Sequence, residues 1–384
     1  MSHPLSVAAL LTVVSFALAG EVMLPDPLLT NAGVRVTTPA AWPARRAEIL
    51  EIFTREMFGR APVARPAGMK ITVTETTSGM MNGTAERRLI RIDWVGPGGS
   101  SGMNLILFVP TAQTKPAGCF LLICNRPPEN IDPTRQQRSP YWPAESIIAR
   151  GYAAATFYND DIDPDKHDEF KNGVHGVFDI PPRSNDAWGT LAAWAWGASR
   201  AIDALVEQPG IDVKRISVVG HSRGGKTALW CGAQDERVAL TISNNSGCGG
   251  AAISRGKAGE NVARINKTFP HWFNANYKNW DNKEFEAPFD QHELIALCAP
   301  RLVYVASATE DAWADPAAEF RATVAATPVW QLFGLTGMTA MAQPAAEQPE
   351  QTGHIGYHLR TGKHDLTEYD WEQYMNFADK HLRK

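Results

Sequence analysis

The sequence predicts an α/β fold, a three-layer sandwich on a mostly parallel sheet with an antiparallel N-terminal edge. Two patterns predict it. Three alternating extended segments separated by Gly/Ser turns come first, the signature of antiparallel pairing. From Cys119 onward, short apolar strands alternate with helical patterns, which implies parallel strands joined by crossovers. At 384 residues, with 44% apolar and 20% charged residues, the chain is long enough to bury a substantial core.

Residues 1–19 contain no Asp, Glu, Lys or Arg and close on Phe16-Ala-Leu-Ala19, an export-signal pattern whose apolar core is too short to span a membrane. No internal repeat or low-complexity linker divides the remainder, so residues 20–384 are expected to form one domain. Residues 43–58 have apolar positions at helical spacing and predict a covering helix. The antiparallel edge is expected at 70–75, 87–95 and 104–110, and parallel strands at 120–124 and 152–157. A stretch rich in Asp, Pro and Gly, 159–185, reads as an excursion over the sheet. Residues 186–205 predict a packed helix whose Trp188, Trp194 and Trp196 belong to the core. Further strands are expected at 216–219, 238–243 and 301–307, with a long loop region from 247 to 288 and a helix near His292. A last helix, 367–382, opens with a Thr-x-x-Asp cap.

The net charge of -4 and the scattered Lys and Arg give no basic face for nucleic acid. Five cysteines, Cys119, Cys124, Cys231, Cys248 and Cys298, form no metal-ligand pattern, and their odd number leaves at least one unpaired within the chain. Cys119 and Cys124 fall on opposite faces of one strand, which disfavours a bridge between them. No metal site or cofactor motif is apparent, and a monomer is expected.

The chemistry centres on residues 215–227, which fit two incompatible templates. Gly220 to Gly224 reads G-x-S-x-G, an elbow lifting Ser222 out of a strand-to-helix turn. Gly220 to Thr227 also reads as a phosphate-cradling G-x-x-x-x-G-K-T loop. A phosphate loop needs a later strand ending in an acid to hold magnesium, but the next strand ends in Asn244 and Asn245. An elbow serine needs an acid and then a histidine later in the chain, and both are present. Asp311 follows a strand in a turn that also holds Glu310 and Asp315 as rivals. His364 sits in a short loop just before the last helix, whereas His358 lies in an apolar run and reads as structural. This is the α/β-hydrolase order of Ser, acid, His, with Ser222 as nucleophile, His364 as base and Asp311 orienting the imidazole. The oxyanion would be met by the backbone N–H of Arg223 and a second donor, from loop 125–128 or the Arg223 side chain.

Several motifs together resemble the glucuronoyl esterases, the carbohydrate esterase family that cleaves esters between glucuronic acid on xylan and lignin alcohols. They are Met57-Phe-Gly-Arg-Ala-Pro62, Gly220-His-Ser-Arg-Gly-Gly-Lys226, Ser246-Gly-Cys-Gly-Gly-Ala-Ala252, Pro270-His-Trp-Phe273, Asp311-Ala-Trp-Ala-Asp-Pro316 and Gly362-Lys-His364. The resemblance implies a secreted or periplasmic serine esterase acting on (4-O-methyl-)glucuronoyl esters in lignin–carbohydrate complexes. It implies Arg223 as oxyanion stabiliser, and Lys226, Glu260 and Trp313 as contacts to the glucuronate ring. Without it, Lys226 reads as a solvated helix lysine and Glu260 as a surface acid. Two departures stand out. Many members place the triad Glu where this chain has Asn245, and fungal members bridge two cysteines where it has His221 and Asp365. The missing acid keeps a non-catalytic glucuronoxylan-binding relative in play, beside another carbohydrate or aryl esterase or a serine peptidase. Asn245→Asp is expected to matter far less than Asp311→Asn.

Overall fold

The computed structural model describes residues 22 to 383; the stretch read as an export signal lies outside the described residues. Nine strands form one sheet in the order β1-β2-β3-β5-β4-β6-β7-β8-β9. The antiparallel edge comprises β1 (Lys70–Gly79), β2 (Ala85–Gly96) and β3 (Gly99–Pro110), each longer than its sequence pattern suggests. From β5 (Ala153–Tyr158) through β4 (Ala117–Cys124), β6 (Ile211–His221), β7 (Val238–Asn244), β8 (Leu302–Ala308) and β9 (Ile355–Arg360), neighbours run parallel.

Both faces of the sheet are covered, which is why its central strands read as continuous apolar runs. Along β4, Cys119, Leu121 and Ile123 join one core cluster while Phe120, Leu122 and Cys124 join the other. The two strand cysteines therefore lie on opposite faces, as their spacing predicts, and all five cysteines are buried free thiols. Helix Thr190–Leu205 starts four residues later than its pattern suggested. Trp188, just before the helix, and Trp194 and Trp196 within it are core residues with their polar edges satisfied: the indole N–H of Trp188 reaches Asp179 (2.6 Å), that of Trp194 the Asp163 carbonyl (2.7 Å), and that of Trp196 the Val63 and Ala64 carbonyls (2.9 and 2.7 Å).

Two expectations are refined and one helix is new. The covering helix is regular over Trp42–Phe53 and ends in a wider π-type turn, Thr54–Phe58. The expected loop region contains helix Val262–Thr268, capped by the Asn261 side chain on Arg264 N–H. A seventeen-residue helix, Pro316–Leu332, follows Asp315, which caps it; its Ala-rich composition and burial on several sides leave no amphipathic pattern to read. The last helix, Glu368–Leu382, starts with the expected box between Thr367 and Asp370. Four successive parallel strands, β6 to β9, bring Ser222, Asn245, Asp311 and His364 to one edge, the carboxyl ends where open α/β sheets place their sites.

Candidate active site

Ser222 sits between β6 and helix Arg223–Gln234 at φ 57°, ψ −123°, a strained conformation for a residue with a side chain and the one a strand-to-helix elbow imposes. Its N–H is fixed by the Asn244 carbonyl at 2.8 Å. The turn is so tight that a Cβ on Gly220 would collide with the Gly224 carbonyl, which explains the first glycine of the motif.

The turns after β8 and β9 are laced together: Thr309 N–H donates to the Arg360 carbonyl (2.8 Å) and Glu310 N–H to the Gly362 carbonyl (2.9 Å). This brings His364 Nδ1 to 2.6 Å from Asp311 Oδ2. Of the rival acids, Asp315 caps helix Pro316–Leu332 and Glu310 is exposed. Burial pushes the Asp311 carboxyl upward, but the hydrogen bond and charge of His364, with donors from Asn245 and Ala314, outweigh it and hold the group below the usual range. Asn245 Nδ2 donates to Asp311 Oδ2 at 2.9 Å. Asn245 thus supports the carboxylate that contacts His364.

His221 and Asp365 are both held by polar packing. The His221 ring lies 4.5 Å from that of His364 and shares a 2.6 Å hydrogen bond with Asn244 Oδ1, whose amide donates to Tyr374 Oη at 2.8 Å. Burial, then the neighbouring His364, pushes His221 down to about 3, so it stays neutral beneath its neighbour. Asp365 pairs with Arg126 at 2.6 Å, and Arg126 in turn lies over the Tyr141 ring.

A cavity of about 240 Å³ is lined by Ser222, Arg223, Lys226, Glu260, Asp311, Trp313 and His364, the residues to which the sequence reading gave catalytic or sugar-contact roles, together with Phe269 and Trp272. Lys226 and Glu260 are 4% and 7% exposed, so neither is the solvated surface group its residue type alone suggested; Trp313 is half exposed at the mouth. Burial lowers the Lys226 pKa, and the Glu260 carboxylate opposes that shift. A larger hollow of about 540 Å³, lined by Lys214, Arg301 and His354 among others, lies at the opposite ends of the strands and contains none of these groups.

Sequence reasoning missed Asp165, in the excursion between β5 and helix Thr190–Leu205. It pairs with Arg223, and its Oδ1 accepts the Trp272 indole N–H at 2.8 Å and lies 3.0 Å from His271 Nε2. The Arg223 guanidinium lies 5.0 Å from the Trp272 ring and 5.6 Å from Phe269. Burial raises the Asp165 pKa, but the bonds from His271, Arg223 and Trp272 override it, so it remains a carboxylate. Nothing in the run Asp160-Asp-Ile-Asp-Pro-Asp165 marks its last member; only the return of the excursion to the serine helix does. The assembled groups can carry a proton relay, neutralise a developing oxyanion and bind a polar ring.

A family profile described as fungal glucuronyl esterase matches residues 141–334. A carbohydrate esterase from an unknown prokaryotic organism is 38% identical over 393 residues, covering 94% of this chain and 89% of that protein. A 4-O-methyl-glucuronoyl methylesterase of Cerrena unicolor is 32% identical over 342 residues, 83% of this chain and 64% of its own length. Among solved structures, the glucuronoyl esterase from Solibacter usitatus superposes with a TM-score of 0.88 at 39% identity, covering 94% of this chain and 99% of that one.

Proposed function

The chain belongs to the glucuronoyl esterase family of carboxylic ester hydrolases, and on that premise we propose that it cleaves (4-O-methyl-)glucuronoyl esters of lignin alcohols through an acyl-enzyme on Ser222. The observation that carries this reading is the 2.6 Å contact of His364 Nδ1 with Asp311, in one cavity with the elbow serine. With its Nδ1 proton committed to Asp311, the imidazole presents Nε2 as base. His364 takes the Ser222 proton as Oγ attacks the ester carbonyl. The oxyanion is met by the Arg223 N–H at the helix start and by the Arg223 guanidinium. Return of the proton to the alcohol oxygen expels the alcohol, and water, activated by the same imidazole, releases the uronate. Lys226 and Glu260 hold the ring hydroxyls and Trp313 covers an apolar ring face.

Turnover of benzyl glucuronate, with little of acetyl, feruloyl or peptide substrates, tests the assignment. The reverse selectivity would place the chain with other esterases or peptidases. A non-catalytic glucuronoxylan binder loses its motive once Asn245 is seen to support Asp311, and absence of both fluorophosphonate labelling and turnover would restore it. We further propose one catalytic domain over 20–384, an export signal at 1–19, and a monomer acting in the periplasm or outside the cell. Among the described residues no helix is long and apolar enough to cross a membrane. N-terminal sequencing of exported protein and its solution mass check these points.

A further inference from the structure

We infer that Glu319 is a positioning residue for Lys226, acting across the single peptide group between Ser246 and Gly247; this rests on the reading of Lys226 as a sugar contact. Glu319 lies in the first turns of helix Pro316–Leu332 and is fully buried. Its Oε1 accepts the Gly247 N–H at 2.8 Å, with the Ser246 hydroxyl at 3.4 Å, and its Oε2 accepts the Ser307 hydroxyl at 2.6 Å. The carbonyl of that same Ser246–Gly247 peptide accepts the Lys226 ammonium. Cation, C=O, N–H and anion therefore follow one another in line, each polarising the next.

Among the described residues neither Lys226 nor Glu319 makes a direct ion pair. A buried ammonium without compensating charge is costly; Glu260 across the cavity opposes that cost first, and the peptide gives Lys226 a further share in the Glu319 charge without spending its remaining protons on a carboxylate. One N–H is held by Ser246 and the others stay available to the cavity. The same carboxylate ties the tip of β7 to the tip of β8, so the lysine keeps its place relative to Asn245 and Asp311. Burial pushes the Glu319 carboxyl up to about 7, opposed by Ser307 and Gly247 and reinforced by Asp311; above that it adds its charge to that of Glu260 in favour of the Lys226 ammonium.

Glu319→Gln keeps the size of the side chain and an acceptor for Gly247 N–H, but removes the charge. At pH 8 its KM for benzyl glucuronate should rise about tenfold, with kcat within about threefold. In a Lys226→Ala background the same change should add less than about twofold, since the residue it acts through is gone. A substrate-free readout accompanies this: acetic anhydride labelling of Lys226, followed by peptide mass mapping, should be several-fold faster in Glu319→Gln, because the ammonium gives up its proton more readily. An unchanged KM together with unchanged labelling overturns the inference, as does an equal KM rise in the presence and absence of Lys226. If Lys226→Ala itself leaves KM unchanged while labelling responds to Glu319→Gln, the coupling stands and it is the reading of Lys226 as a sugar contact that fails.

Discussion

Asp311→Asn tests the proposed relay most directly. The carboxylate accepts from His364 and Asn245 on Oδ2 and from Ala314 N–H, at 3.3 Å, on Oδ1. An asparagine here has one oxygen for donors on both sides. If that oxygen takes the Oδ2 position, His364 keeps its tautomer but loses the charge that stabilises the imidazolium, and the new NH2 faces Ala314 N–H. If the amide is reversed, NH2 faces Nδ1 and drives the imidazole proton to Nε2, where it blocks the base. Either way the loss falls on the chemical step, and the same aspartate-to-asparagine change in the triad of a chymotrypsin-like protease costs about 10⁴ in kcat. Here kcat should fall by about 10² to 10⁴ with KM nearly unchanged. Steady-state kinetics on benzyl glucuronate, with a thermal melt to exclude unfolding, measure it. Near-normal kcat in Asp311→Asn beside a collapse in Glu310→Gln or Asp315→Asn would refute the assignment.

The structure also revises the expectation for Asn245→Asp. The new carboxylate would lie about 2.9 Å from Asp311, too close for both to ionise, so one pKa must rise; activity should then fall on the acid side and recover in part as pH increases, as a pH–kcat profile will reveal. Asp165→Asn weakens the hold on Arg223 and is expected to lower kcat about tenfold with folding intact; unchanged kcat would remove the guanidinium from the oxyanion site. Lys226→Ala and Trp313→Ala should each raise KM more than they lower kcat. Asp163 sets a stability trend. Burial pushes its carboxyl up to about 8, whereas the unfolded chain titrates near about 3.9, so the folded state binds more protons between these values and stability declines as pH rises through that window. Asp163→Asn should flatten the change in Tm between about pH 5 and pH 8.

The architecture and the meeting of Asp311 with His364 were legible because their signals are set by backbone geometry and chain order. Strand alternation, the elbow glycines and the order Ser222, Asp311, His364 are each set by backbone geometry that only a few residue types satisfy. Helix Pro316–Leu332 was not, since a helix buried on several sides has no stripe and only its Asp315-Pro316 start marks it. Asp165 and Glu319 were illegible for a different reason. Each is one carboxylate among many, and its meaning lies wholly in what another loop delivers to it: Arg223, His271 and Trp272 for the first, the Ser246–Gly247 peptide for the second.

Asn245 combines the two cases. By resemblance it is the loss of an acid, since many members of the family carry a Glu there and an amide cannot compensate an imidazolium. In the folded chain β7 and β8 are neighbours, with Asn244 paired to Ala306, so the turns that follow them bring the Asn245 amide against the Asp311 carboxylate that contacts His364. Carboxylates at both tips would sit at hydrogen-bonding distance, so one of them would hold its proton. Once Asp311 occupies the β8 tip, the β7 tip is best filled by a donor, and Asn245 supplies an N–H to Asp311 Oδ2 from the place an acid would otherwise take. On this reading the Asn245 amide acts through the Asp311 carboxylate, so removing the amide should cost little activity once Asp311 is gone.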